Sequence, residues 1–332
     1  MLWLSWRQFR AQAILAAGLL AAATVVLALA GTSLAHLYAT AGVPGCQAGS
    51  GCARALHQFS VAINGNASVH ILQLSATVLA VVPGLAGVFW GAPLVARELE
   101  TGTSQLAWTQ SVSRSRWLIV KLVLAGLVAM VLTGLLSLMV TAWSSPLNQL
   151  SLDRFGYGQF GEQGIVPAAY AAFAFVLGVA AGLLIRRTLP AMAATLVAFT
   201  AIRMGFTYGG RRLLMAPLRV TSPLNMRFLS LEITNGGKLT LQPAGGHPGA
   251  WIYSVKVITP AGRPFISGPA PHACAGGPRA CMQAISQLHL RQVVTFQPAS
   301  RFWAFQWYET AIFLCLAVAL AAFCIRRVRR TS

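Results

Sequence analysis

Two residues of opposite charge, Arg203 and Glu309, stand inside long apolar stretches. An unpaired charge in hydrocarbon is costly, so the chemistry these two suggest is an ion pair. Four cysteines fall into two close pairs, Cys46 with Cys52 and Cys274 with Cys281. Such spacings suit two local disulfides on an oxidising side of a membrane. His272 and His289 flank the second pair and make a loose His/Cys cluster, an alternative metal reading whose spacing matches no zinc pattern. Catalytic signatures are missing. The nearest approach to a phosphate-binding loop, Gly236-Gly237-Lys238-Leu239, lacks the first Gly and the hydroxyl. There is no His-Glu-x-x-His helix and no Gly-x-Ser-x-Gly elbow. With six acidic residues in the chain, paired-carboxylate catalysis has few candidates. The expectation is a non-enzyme with no catalytic residue, no metal and no cofactor of its own.

The elements that carry these residues follow from composition. The chain has 332 residues, 56% hydrophobic and 9% charged. An average soluble domain carries roughly 25% charged residues. The net charge of +19 would suggest nucleic acid in a soluble protein. Here the apolar runs point to a lipid bilayer instead, and no nucleic-acid partner is expected. A helix needs about 20 apolar residues to cross the roughly 30 Å hydrocarbon core. Six runs qualify: Ala13–Leu37, Ile71–Val95, Trp117–Trp143, Ile165–Ile185, Leu189–Tyr208 and Phe302–Ile325. The fold class is therefore an all-α polytopic membrane protein. The first run is longer than a signal-peptide core and no clear cleavage site closes it.

Orientation follows from Lys and Arg near the span ends. With the N-terminus inside, the inner segments hold twelve: Arg7, Arg10, Arg97, Arg114, Arg116, Lys121, Arg186, Arg187, Arg326, Arg327, Arg329 and Arg330. The two short outer loops hold Arg54 and Arg154. Both termini are then cytoplasmic, in a bacterial cell membrane. Residues 209–301 form the long segment before the last span. Leu231-Glu232-Ile233-Thr234 and Lys238-Leu239-Thr240-Leu241 flank Asn235-Gly236-Gly237, a hairpin signal, and Trp251 to Ile258 alternates. The reading is a small, partly β external domain; the alternative is a Pro/Gly-rich loop with little fixed structure. The organisation is thus 1–208 with five spans, 209–301 as the external domain, and 302–332 with the sixth span and a basic tail.

Depth along the helices supports the ion pair. Arg203 lies 14 residues beyond Leu189, so about 21 Å along the helix and roughly 9 Å short of the outer surface. Glu309 lies seven residues below Phe302, about 10 Å down from that surface. The alternative has Arg203 snorkelling to the headgroups while Glu309 faces a wet cavity. Within the second span, Pro83-Gly84 is a hinge candidate, because proline removes a helix hydrogen bond. Gly87-x-x-x-Gly91 and Gly178-x-x-x-Gly182 are small-residue faces for close helix packing. Cys315 and Cys324 lie in the last span, nine residues apart, about 13–14 Å along one helix, and are expected to be reduced.

The segment 96–117 after the second span holds Glu98 and Glu100, then a short amphipathic run with Leu106 and Trp108 as anchors, then Ser113, which can cap the helix from Arg114. It reads equally as a docking surface for a soluble partner and as an ordinary charged inner loop. Its pattern Glu98-x-Glu100-x-Gly102-Thr103, followed by Ser-x-x-Arg and Lys121 into the third span, resembles the membrane subunit of type-two ABC exporters. Trp3, Trp6, Arg7 and Arg10 are similar to that family's N-terminal interfacial elbow helix. Arg301-Phe302-Trp303-x-Phe305-Gln306-x-x-Glu309 and the basic tail look like an actinobacterial branch.

The resemblance implies a permease that forms a translocation path. It implies separate ATPase subunits, which bind the ATP and magnesium, and a second permease half, identical or different. It implies that Glu98, Glu100, Gly102 and Thr103 sit in a coupling helix received by the ATPase. A longer external segment sets this chain apart from many relatives. The competing class is a non-transport membrane protein, a sensor or assembly factor whose external domain binds an envelope ligand. An ion-coupled carrier is disfavoured by the scarcity of charges in the spans.

Overall fold

The computed structural model describes residues 2–44, 50–102, 113–144, 155–156, 159–226, 229–234, 237–243 and 249–330. Contacts divide the chain into two units, residues 1–150 with 157–214 and 303–332, and residues 151–156 with 215–302. The first unit is helical, and among the described residues six helical segments are long and apolar enough to cross a membrane.

Helix α1 runs from Leu2 to Thr40. The expected elbow is not a separate element: it continues without a break into the first span. The cause is local, since no Pro or Gly precedes Gly18 and nothing interrupts the hydrogen-bond ladder. Helix α2, Ser50–Ile63, fills a loop where no helix was expected. It is held by Phe59, fully buried against Leu27, Leu34, Leu79 and Val140, with the Tyr38 ring edge-on at 5.4 Å.

Helix α3, Ala67–Leu85, starts at Asn66, whose side chain accepts from the Ser68 amide at 2.8 Å. Helical geometry passes through Pro83 and Gly84. The departure comes one turn later, as a π-turn at Ala86–Gly91, and α4, Ala92–Glu100, completes the span. Helix α5 covers Arg114–Trp143, and Ser113 caps it by accepting from the Arg116 amide at 3.4 Å. Helix α6, Val166–Ile185, ends at Arg186 in the left-handed conformation. Helix α7, Thr188–Gly205, is followed by a second π-turn, Phe206–Gly210, and a last turn, Arg211–Leu213. This span was expected to end near Tyr208. It runs five residues further, so the second unit starts at Met215.

Helix α6 is buried along most of its length, and glycine makes that possible. A Cβ at Gly87 would fall on the carbonyl oxygen of Ala174, and one at Gly91 on that of Phe175. Conversely, a Cβ at Gly178 would fall on the Gly87 carbonyl, and one at Gly182 would come within 2.7 Å of the Ala92 carbonyl. The two small-residue faces therefore meet each other, backbone against backbone, as small residues allow in a membrane.

In the second unit, β1 (Leu218–Pro223), β6 (Arg291–Gln297) and β4 (Trp251–Ile258) form one antiparallel sheet in the order β1-β6-β4. The other sheet is β2 (Leu229–Ile233), β3 (Lys238–Pro243) and the two-residue β5 (Gly268–Pro269). The expected hairpin is the β2–β3 pair, with Leu231 opposite Leu241. Gly237, at φ 71°, supplies a left-handed position in its turn. Helix α8, Pro278–Gln287, packs Cys281 and Ile285 onto Leu239, Leu241 and Val257. Cys274 and Cys281 form a disulfide, which uses the two thiols the metal alternative would need. The Cys46–Cys52 pair lies outside the described residues. Cys315 and Cys324 are free thiols.

The closed loop from Cys274 is short, its ends seven residues apart. The chain-entropy relation gives roughly 2.5 kcal/mol for such a loop. A reductant, or Cys274→Ser with Cys281→Ser, should lower the stability of this unit by about that amount. Limited proteolysis with and without reductant reads it. Unchanged cleavage between 260 and 290 would contradict the expectation.

Candidate functional site

The last helix, α9, Phe302–Arg330, returns through the first unit and completes polar clusters at both ends of the bundle. At the end holding the C-terminus of α4, the Glu98 carboxylate accepts from the Lys121 ammonium of α5. Lys121 is 6% exposed and also lies over the Trp117 ring, 4.6 Å from its centroid. Glu100 Oε2 accepts from the Thr188 amide at 3.0 Å and from its hydroxyl at 2.6 Å. A helix start leaves orphan N–H groups, and here a carboxylate from another helix satisfies one of them. Arg329 of α9 donates to the Ser115 hydroxyl at 3.0 Å.

Glu98 and Glu100 thus bind residues of their own chain and tie α4 to α5 and to α7. Gly102 has φ 72°, a left-handed position that favours glycine, and nothing stands within 4 Å of a Cβ built there. Thr103, Leu106 and Trp108 lie outside the described residues.

At the opposite end, Glu309 of α9 is fully buried. Its Oε2 accepts from Arg211 Nε at 2.8 Å and its Oε1 from Arg211 Nη2 at 3.0 Å, a two-pronged pair with neither side chain exposed. The Tyr170 hydroxyl of α6 donates to the same Oε1. Arg211 also lies over the Phe160 ring, 4.2 Å from its centroid. One layer away, Gln306 Oε1 accepts from the amides of Ile165 and Val166 at 3.1 and 3.2 Å, and its Nε2 donates to the Phe160 carbonyl at 3.1 Å. Tyr170, Phe173 and Phe206 pack edge-on around Phe313.

The expected Arg203–Glu309 pair is therefore corrected. Glu309 is paired, but with Arg211. Arg203 donates to the Ala80 carbonyl and lies 4.9 Å from the Tyr170 ring centroid. The depth count treated Tyr208 as the end of the span and left Arg211 to the external domain. The π-turn adds a residue to the helix, carries it past that point, and presents Arg211 to α9. A signal was present in the sequence: Arg211 and Arg212 follow directly on the apolar run. Tyr170 gave none, since an aromatic in a span is commonplace, and Gln306 stood in the quoted run Arg301–Glu309 with nothing to indicate its partners.

Arg203 borders a cavity of about 380 Å³ between α3 and α7. Its walls include Val81, Leu196, Phe199, Thr200 and Met204, and Glu162 closes one side. Glu162 belongs to a 3₁₀ turn, Gln159–Glu162, outside the spans. Burial pushes its carboxyl up to about 7, against the opposing pull of Arg203. Pro83 and Gly84 are buried in this region, and the Phe199 ring would lie 3.2 Å from a Cβ at Gly84.

Comparison with known families finds one described as ABC-2 membrane transporter related, whose model matches residues 17–211. No curated protein and no solved structure matches the chain.

Proposed function

Because the chain belongs to the ABC-2 membrane transporter related family, we propose that it is the permease subunit of an ATP-driven exporter. In this reading it has no ATPase of its own. Separate subunits bind ATP and magnesium, and a second permease half completes the path. The termini and segment 103–112 face the cytoplasm, and the β-rich unit faces outward in the plasma membrane. The charge distribution near the span ends supports that orientation.

One observation carries the coupling argument. Glu98 and Glu100 stand at the base of the segment that leaves α4, and they bind Lys121 of α5 and Thr188 of α7. A push on that segment is thereby handed to three spans at once. The coupling role of Glu98 and Glu100 is then to transmit, while the contact with an ATPase groove falls to Thr103 and the amphipathic run beyond it. Gly102 provides the turn between the two. Rocking of spans between inward- and outward-open states needs such a rigid link.

The test separates transmission from docking. Glu98→Arg with Glu100→Arg should leave co-purification of the ATPase intact while transport falls roughly 5- to 150-fold, the range of a single coupling free energy. A Leu106→Asp, Trp108→Asp variant should instead lose the partner. Unchanged transport in the first variant would refute transmission. Absence of any nucleotide-binding partner from the purified wild type would refute the permease reading itself.

A further inference from the structure

Among the described residues of the helical unit, Arg203 is a half-buried cation with few partners. A guanidinium offers five N–H donors. Among the described residues Arg203 makes one hydrogen bond, to the Ala80 carbonyl, besides its contact with the Tyr170 ring. It lies 15 residues beyond Thr188, about 22 Å along the helix and inside the hydrocarbon. A cation there calls for a counter-charge. The cavity of about 380 Å³ beside it falls within the range of small-molecule sites. Its walls are apolar and reach the outside of the bundle, with Val81 50% exposed, Leu196 47% and Met204 50%. An opening with apolar walls admits an amphiphile in preference to a bare ion.

We infer that this cavity binds one anionic amphiphile, its carboxylate or phosphate on the Arg203 guanidinium and its apolar body along Val81, Leu196, Phe199 and Met204. The inference concerns binding and stands apart from the transport reading. The same chemistry is found in a bilayer lipid and in a dissolved fatty acid, so the source is assigned by experiment. Glu162, on the opposite wall, makes the site pH-dependent. Its carboxyl, raised to about 7 by burial, is neutral below that pH and leaves Arg203 to the ligand. Above it, the new carboxylate competes for the same guanidinium. The other charged or titratable groups around it are accounted for. Tyr208 lines the cavity from α7, Tyr170 carries Arg203 on its ring, and Arg211 is engaged with Glu309.

The test uses the purified full chain in neutral detergent, with dodecanoate and dodecanol as probes of equal chain length. Dodecanoate should bind the wild type at least about tenfold more tightly than Arg203→Gln, one charge-assisted contact being worth that much. Dodecanol should bind both alike. Arg203→Lys should recover part of the loss. Arg203→Gln also loses the Ala80 bond, so Leu196→Trp, which fills the cavity without touching the guanidinium, must abolish dodecanoate binding while the protein stays folded. Wild-type affinity should fall by up to about tenfold per pH unit above 7 by linkage, and Glu162→Gln should flatten that slope. Native mass spectrometry assigns the source. Retained anionic phospholipid that dodecanoate displaces marks a lipid site, and an empty chain that takes up dodecanoate marks a solute site. Equal affinity for dodecanoate and dodecanol, or an unchanged affinity in both Arg203→Gln and Leu196→Trp, overturns the inference. So does a wild type that binds no dodecanoate while a separate Leu196→Cys variant cross-links to a second copy, which places that copy over the cavity.

Discussion

Arg211→Met should be among the most damaging single substitutions in this chain, destabilising the helical unit by about 3–5 kcal/mol. Removing one partner of a buried pair leaves the other charge uncompensated. Here Glu309 is fully buried and, among the described residues, would keep the Tyr170 hydroxyl as its one partner. The double variant Arg211→Met, Glu309→Met should recover most of the loss, because a buried pair replaced by apolar residues is often neutral. Thermal unfolding in detergent, followed by far-UV circular dichroism, reads both. Arg203→Met is the control. It removes a carbonyl contact and a ring contact, so its cost should be clearly smaller. If Arg203→Met proved the worse of the two, the assignment of Glu309 to Arg211 would be wrong.

The second large effect is expected at Gly178. Replacement by Ala should sharply reduce the yield of folded protein, at the upper end of the roughly 1–3 kcal/mol typical of overpacking. The reason is what the methyl would meet: the Gly87 carbonyl, the Ala92 nitrogen at 2.7 Å and the Gly91 carbonyl carbon at 3.0 Å. All three are backbone atoms and cannot swing aside. Gly134→Ala, whose methyl would meet only the Ala168 side chain at 3.4 Å, should be well tolerated. Gly18→Ala has open space and should gain up to about 1 kcal/mol from helix propensity. Fluorescence-detected size exclusion ranks the three. Equal profiles for Gly178→Ala and Gly134→Ala would contradict the close packing of the second and fourth spans.

How much of this was readable in advance varied with the length scale of the signal. Each span rests on about 20 residues of summed hydropathy, so six emerged from composition alone. The β2–β3 hairpin was legible because a turn sequence separates two short strands. The cap at Ser113 was equally local. The pairing of the two glycine faces was not legible, because abundant Gly and Ala produce such spacings by chance. Arg211 was lost for a different reason. Counting 1.5 Å per residue presumes an unbroken α-helix, and the π-turn at Phe206–Gly210 breaks that assumption. Glu98 and Glu100 were read from their place beside the loop. Their partners, Lys121 and Thr188, stand 23 and 88 residues away in sequence, and nothing local identifies them.

Helix α1 has a mechanical consequence. Its 39 residues amount to about 58 Å at 1.5 Å per residue, against a hydrocarbon thickness of about 30 Å. Close to half its length therefore lies beyond the core, and the part in the bilayer and the part outside it are one rod. A hinged anchor could stay in the headgroup plane while its span tilted. This one acts as a lever: residues 2–13, before the span that starts at Ile14, make an arm of about 18 Å, and a 10° tilt of the span about its exit point swings their tip through about 3 Å. Any rocking of the first span is thus magnified toward Leu2, and the exposed Arg10 would be carried with it past whatever headgroups surround the helix there. Lipid composition at that leaflet then sets a resistance to the motion, a drag term applied far from any nucleotide or substrate.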